Sequence, residues 1–283
     1  MEVRRGDGSV IACEVVGDQD AAPVLFCHGL ADSRLSAHQL AEPARELGLR
    51  IVAPDRPGIG RTDPRYLHRL ADWAEDAALV LDALRVDTAA LVGVSGGGPF
   101  AAACAAMLPG RVRSLTLISP LGAPGWPTLG MAAGERVSLE IARQLPAFGG
   151  WFLGRLAALA RYSPQLFLRL TASELPGVDR RALEDPGMRD PFLSNYTEAF
   201  RLGSGGVAQD LRVLTRPWGF RLGSIRVPTW IHHGDADTTV PLQHAQLFAA
   251  AIPGARLRLH PGQGHFSILA AADEIFATLA GTD

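Results

Sequence analysis

Hydrophobic positions in this chain gather in short runs rich in Val, Ile, Leu and Phe: VLFCHG (24–29), RIVAPD (50–55), AALVGVS (89–95), VRSLTLIS (112–119), VPTWIHHG (227–234) and ARLRLHP (255–261). Most are apolar at successive rather than alternate positions. Strands of that kind must be covered on both faces, so the pattern predicts an α/β fold with a mostly parallel, twisted sheet flanked by helices. Residues 2–17 alternate instead around Asp7-Gly8, which predicts an antiparallel hairpin. Helical spacing fills the gaps between the next four runs. In ADWAEDAALVLDALRV (71–86) the apolar positions suit an amphipathic crossover helix.

The gap between VRSLTLIS and VPTWIHHG is different. It holds roughly a hundred residues, where a crossover needs only about 10–12. The excess is helical in pieces, punctuated by Pro146, Gly149-Gly150, Pro164, Pro176-Gly177, Pro186-Gly187 and Gly203 to Gly206. An inserted helical cap over 123–216 is expected, with 1–122 and 217–283 forming the two parts of the sheet layer. Such a cap sits over the C-terminal edge of the strands, where open α/β sheets place their ligands.

Composition narrows the chemistry. The chain has 283 residues, 47% of them hydrophobic, enough for one large core with a smaller accessory unit. A net charge of −2 without a block of like charges predicts a small-molecule partner, and neither nucleic acid nor a membrane surface. Every basic residue is Arg. The absence of Lys excludes P-loop phosphate binding, Schiff-base catalysis and Ser–Lys dyads, each of which needs an ammonium nitrogen. Cys13, Cys27 and Cys104 are odd in number and far apart, which fits a reducing compartment better than a disulfide framework. The N-terminus carries no apolar leader, and no run reaches the ~18 residues of a membrane span, so a cytoplasmic location is expected.

Candidate chemistry starts at LVGVSGGGPF (91–100), where a buried strand ends on a lone Ser among glycines. Gly93-Val94-Ser95-Gly96-Gly97 fits G-x-S-x-G between a strand and a helix, where a sharp reversal holds the hydroxyl up at the sheet edge. Its neighbours must lack bulk. Pro99 suits an early helical position. A phosphate-binding turn is the rival reading, weakened by the missing Lys.

A Ser nucleophile needs a base, and the base needs a carboxylate to hold its tautomer. His265, in the GQGHF loop after the last strand, is the expected base, with His260 at the strand end as its nearest rival. Asp237 in GDADTTVP is the expected acid, with Asp235 expected to bind the turn's own backbone. A metal site on His232, His233, Asp235 and Asp237 is disfavoured, because adjacent strand residues point to opposite faces. For an oxyanion, the donors expected are the amides of Gly96 and of Leu30, while His28 is expected to shape the turn. No cofactor or metal is implied.

With HGLADS (28–33), DRPGIGRTD (55–63), GVSGGG (93–98), GDADTTVP (234–241) and GQGHF (262–266) in place, the chain resembles an α/β-hydrolase with a lid. The resemblance covers residues 1 to about 122 and about 217 to the end, and it assigns Ser95, Asp237, His265, Gly96 and Leu30 the same roles. Asp55 and Arg56 fall in the family's structural loop beside the site, as backbone anchors. The resemblance implies hydrolysis of a small, mostly apolar ester or lactone. Perhydrolysis, carbon–carbon bond hydrolysis or a lyase step in the same site, and a non-catalytic ligand sensor, are the alternatives. Trp126, Phe148, Trp151, Phe152, Phe167 and Trp218 are candidates for an apolar pocket wall. Arg155, Glu174 and Tyr196 are polar candidates whose default is a solvated helix face.

Overall fold

The structure, a computed structural model, describes residues 1–144 and 146–280, without the side chains of 142, 146–150 and 280. Strands β1 (Glu2–Arg4) and β2 (Val10–Val16) form the expected hairpin. They are followed by β3 (Ala22–Cys27), helix α1 (Ala41–Glu46), β4 (Leu49–Pro54), α2 (Trp73–Ala83), β5 (Ala89–Val94), α3 (Gly97–Met107) and β6 (Val112–Ile118). Six helices come next: α4 (Ala133–Gln144), α5 (Pro146–Tyr162), α6 (Pro164–Ser173), α7 (Gly177–Glu184), α8 (Pro186–Ala199) and α9 (Gly205–Leu214). Strand β7 (Thr229–Gly234), α10 (Leu242–Ala251), β8 (Arg256–His260) and α11 (Ala272–Ala280) complete the chain.

The strands lie in the order β1-β2-β4-β3-β5-β6-β7-β8, antiparallel only at β1–β2 and β2–β4. Strand order reverses at β3, with β4 on one side and β5 on the other, so a crevice opens above the C-terminal ends of β3 and β5. The register sets Cys27 beside Gly93 and Gly234 beside His260. The loops that leave β3 and β5 therefore start level with each other, as do those that leave β7 and β8, three residues further along.

Both sheet faces are buried, as the unbroken apolar runs require. Leu25, Cys27 and Leu91 face a layer with Trp73, Phe100 and Phe248, while Val24, Phe26 and Val92 face Ile275 and Phe276. Each large side chain removed from water contributes roughly 1.5–3 kcal/mol. The exceptions are the edge strands, β1 with Glu2 and Arg4 exposed and β8 with Arg256 exposed. Helix α2 starts at Trp73 rather than 71 because Asp72 accepts from the amides of His68 and Arg69 and caps a preceding 3-10 turn.

The cap helices are joined to the sheet by an apolar cluster of Ile59, Leu153, Phe200, Val207 and Leu211 and by ion pairs, one half-buried and one fully buried. Arg34 Nη1 lies 2.6 Å from Asp55 and 2.8 Å from Glu198 on α8, and Arg56 Nε donates to Asp210 on α9 at 2.7 Å. Among the described residues no helix is long and apolar enough to cross a membrane.

Candidate active site

The turn from β5 into α3 is tight enough to explain its glycines. Ser95 has φ 53°, a strained value for a residue with a side chain. Its amide donates to Ile118 O at 2.8 Å, and its carbonyl accepts from Gly98 N and Leu121 N, each at 3.0 Å. A Cβ on Gly93 would come within 2.7 Å of Ala101 and of Gly97 O, and one on Gly97 would collide with the carbonyls of Cys27 and His28. The Ser hydroxyl is thereby held above the sheet rather than within the strand.

The side chains expected to cooperate do meet. Ser95 Oγ lies 3.0 Å from His265 Nε2, and His265 Nδ1 lies 2.8 Å from Asp237 Oδ2. Asp237 Oδ1 accepts from the amides of Thr239 and Val240, both at 2.8 Å, which fixes the carboxylate at the end of β7. Burial pushes the Asp237 carboxyl up, but His265, His233 and these amides outweigh it and leave it below the usual carboxylate value. Burial also acts to lower the His265 pKa, and Asp237, Asp179 and Glu135 reverse that and raise it. The pair is arranged to favour imidazolium beside carboxylate.

Leu30 and Gly96 pack directly together: a Cβ on Gly96 would lie 2.9 Å from the Leu30 side chain and 3.0 Å from its amide nitrogen. Among the described residues neither N–H has a hydrogen-bond partner. The loop that carries Leu30 is held from below. Arg56, fully buried, donates to His28 O and Gly29 O at 2.7 Å each, and His28 Nδ1 donates to Gly29 O at 2.9 Å. Asp55 accepts from the amides of Arg34 and Arg61. The anchoring expected of Asp55, Arg56 and His28 is therefore what they do.

Some expectations shift. Asp235 accepts from Gly262 N at 2.7 Å in the neighbouring loop rather than from its own turn, because Gly234 and His260 pair in register and bring the two loops together. His260 points away from Ser95 to His232, 3.0 Å between ring nitrogens. His233 instead donates to Val240 O at 3.0 Å, so the adjacent histidines have separate partners. Among the described residues no His, Cys, Asp or Glu group is placed to hold a metal ion.

A cavity of about 470 Å³ opens over Ser95, Gly96, Leu30 and His265. Of the aromatic candidates, Phe152 and Phe167 line it. Trp126 and Trp218 pack instead with Phe248, Trp151 is exposed, and the side chain of Phe148 lies outside the described residues. Phe26, Phe192 and Phe266 add to the aromatic wall. Glu174 and Tyr196 face the cavity rather than open solvent alone, whereas Arg155 is exposed and off its wall. Sequence reasoning missed Glu135. By area it is open to solvent, yet protein rings it closely enough that burial, then Glu174 and Asp237, push its carboxyl up against the pull of His265. It also missed Asp179 and Asp210. Their partners lie 86 and 154 positions away, beyond any local pattern.

The chain is similar to known proteins. The chain is 29% identical over 260 residues to the dihydrolipoyllysine-residue acetyltransferase component of the acetoin cleaving system of Cupriavidus necator, covering 92% of this chain but only 63% of that relative's length. It is 30% identical over 240 residues to a 2-hydroxymuconate semialdehyde hydrolase of Pseudomonas putida, covering 81% of this chain and 75% of the relative. A thermophilic esterase of Thermogutta terrifontis superposes with a TM-score of 0.73 at 20% identity, over 100% of this chain and 97% of the esterase, which speaks to the fold alone. A model of the alpha/beta hydrolase fold family matches residues 22–272, and with the sheet order and the strand-to-helix turn at Ser95 this shows that the chain belongs to the alpha/beta hydrolase fold family.

Proposed function

We propose that this protein is a serine hydrolase that cleaves small, mostly apolar esters or lactones through an acyl-enzyme. The observation that carries the reading is the line of contacts from Ser95 Oγ through the imidazole of His265 to Asp237, 3.0 and 2.8 Å, at the floor of an apolar cavity. Ser95 Oγ attacks the carbonyl carbon as His265 Nε2 takes its proton, and the carbonyl electron pair moves onto oxygen. The amides of Leu30 and Gly96 receive that oxyanion. When the intermediate collapses, the alkoxide leaves with the proton from His265. Water, deprotonated by the same nitrogen, then attacks the acyl-enzyme and restores Ser95. General-base catalysis supplies about 10²–10⁴-fold and each oxyanion donor about 10²–10³-fold.

Hydrolase activity has the support of relatives named as hydrolases. The wall of the cavity bears on the substrate. Its charged side chains besides His265 are Asp32, Glu135 and Glu174, and among the described residues no Arg lines it. A carboxylate-bearing substrate, such as the 2-hydroxymuconate semialdehyde in the relative's name, meets no guanidinium here, only the imidazole of His265. Neutral esters fit better.

Labelling by a fluorophosphonate probe tests the reading, with Ser95→Ala beside wild type and turnover of p-nitrophenyl acetate and butyrate measured in parallel. Labelled wild type, unlabelled variant and ester turnover are expected. Labelling that survives in Ser95→Ala removes Ser95 as nucleophile. A labelled enzyme that turns over neither ester removes the ester reading and leaves the other acyl chemistries of this site.

A further inference from the structure

Asp179, the third residue of α7 in the cap, is fully buried, and its carboxylate faces the loop that carries His265. Oδ2 accepts from His265 N at 2.7 Å, and Oδ1 accepts from Phe266 N at 3.1 Å and Ser267 N at 2.9 Å. Among the described residues no salt bridge reaches this carboxylate. Three successive amides turned toward one anion form a concave nest, and charge-assisted bonds of this kind offset the cost of burying the charge. The fit is close. A Cβ on Gly264 would collide with the carboxylate itself.

The loop needs an outside support. It leaves β8 through Gly262, at φ 71°, and reaches His265 through Gly264, so its own backbone leaves several paths open. The ring nitrogens of His265 are committed to Asp237 and Ser95, which sets the direction of the imidazole but not the place of its backbone.

We propose that Asp179 is a positioning residue, through which the seated cap holds the main chain of residues 265–267 and thereby keeps the imidazole of His265 in contact with Ser95. The proposal rests on the reading of Ser95 and His265 as nucleophile and base. It makes the cap part of the catalytic assembly as well as a lid on the cavity: the base is in register only while α7 is docked. A second effect is electrostatic. The charged groups facing His265 are Asp237 after β7, Asp179 on α7 and Glu135 on α4, which favour the imidazolium, and His233 on β7 faces the same cluster.

The test measures the fluorophosphonate inactivation rate across about pH 5–9 for wild type, Asp179→Asn, Gly264→Ala and Ser95→Ala, with kcat and KM for p-nitrophenyl butyrate and circular dichroism to confirm folding. Asp179→Asn is expected to slow inactivation and kcat by ~10²-fold, the scale of an ångström-sized misplacement, with KM within about twofold because ground-state binding is untouched. The acid limb of its pH profile moves to lower pH, since a charge that favours the imidazolium is gone. Gly264→Ala keeps that charge but displaces it, and is expected to slow inactivation with a smaller movement of the limb. A folded Asp179→Asn with wild-type rate and limb overturns the proposal. Should that variant not fold, a wild-type rate in Gly264→Ala overturns it instead. Labelling of Ser95→Ala overturns the underlying reading, so the two failures are told apart.

Discussion

Replacing Asp210 with Ala isolates the energetic role of the cap's grip on the sheet. Asp210 and Arg56 are both fully buried, joined at 2.7 Å, and the guanidinium lies 4.4 Å from the Phe100 ring centroid while its other nitrogens hold two carbonyls. Removing the carboxylate leaves a cation in the interior with only neutral partners. Breaking a buried pair from one side costs about 3–5 kcal/mol. Unfolding entropy of about 2.1 cal/mol/K per residue gives about 0.6 kcal/mol/K over the 283 residues, and hence a fall in Tm of about 5–8 °C. Asp82→Ala is the control. It breaks the Arg111–Asp82 pair, nearly as short at 2.8 Å but with Asp82 61% exposed, where about 0–1 kcal/mol and under about 2 °C are expected. Differential scanning fluorimetry at fixed pH and salt reads both. If Asp210→Ala lowers Tm no more than Asp82→Ala, the argument that buried cap carboxylates hold the sheet loops is wrong.

Gly97→Ala drives a methyl into the carbonyls of Cys27 and His28, and is expected to lower Tm by several degrees and abolish probe labelling; a labelled variant of wild-type stability contradicts the steric account of the turn. Only neutral His265 accepts a proton, and its neighbours raise its pKa, so kcat/KM for p-nitrophenyl butyrate should rise with pH through an apparent value above the ordinary 6.5; a midpoint below 6.5 refutes this. Stability should fall on acidification from about pH 6.5. His232 is held down to about 3 by burial, with His260 and Arg258 adding, and His28 and His233 are lowered chiefly by burial, so the unfolded chain binds those protons first. His265 acts in the opposite sense but is outnumbered, and a Tm unchanged between pH 7 and 5 contradicts the prediction. Finally, a hemisuccinate p-nitrophenyl ester should react at least ~10-fold more slowly than the butyrate because like charges inside a cleft repel, with Glu135→Gln narrowing the gap. Equal rates argue against the charge inventory of the cavity.

How much was legible in advance follows from the range of each interaction. Ser95 was readable because the demands on its neighbours are local: Gly93 and Gly97 lie within two positions of it and are there to avoid overlap. His265 and Asp237 were readable because both stand in loops at strand ends, and parallel strands in register bring their loops to one edge. The pocket wall was read less well. Trp126 and Trp218 went to the core and Phe192 and Phe266 to the cavity, since a helix's inward face depends on where the whole cap docks.

By itself the sequence determined the sheet, the strained turn and the residue types able to do acyl chemistry, because strand periodicity and backbone sterics act over a few residues. Only the tertiary structure decided which distant carboxylates come to hold the loops and arginines around Ser95. Asp179, Asp210 and Glu198 look like ordinary charges on helix surfaces until the cap is docked. The role of such a charge is defined by what surrounds it in space, and 86 to 164 positions along the chain separate each of these from its partner.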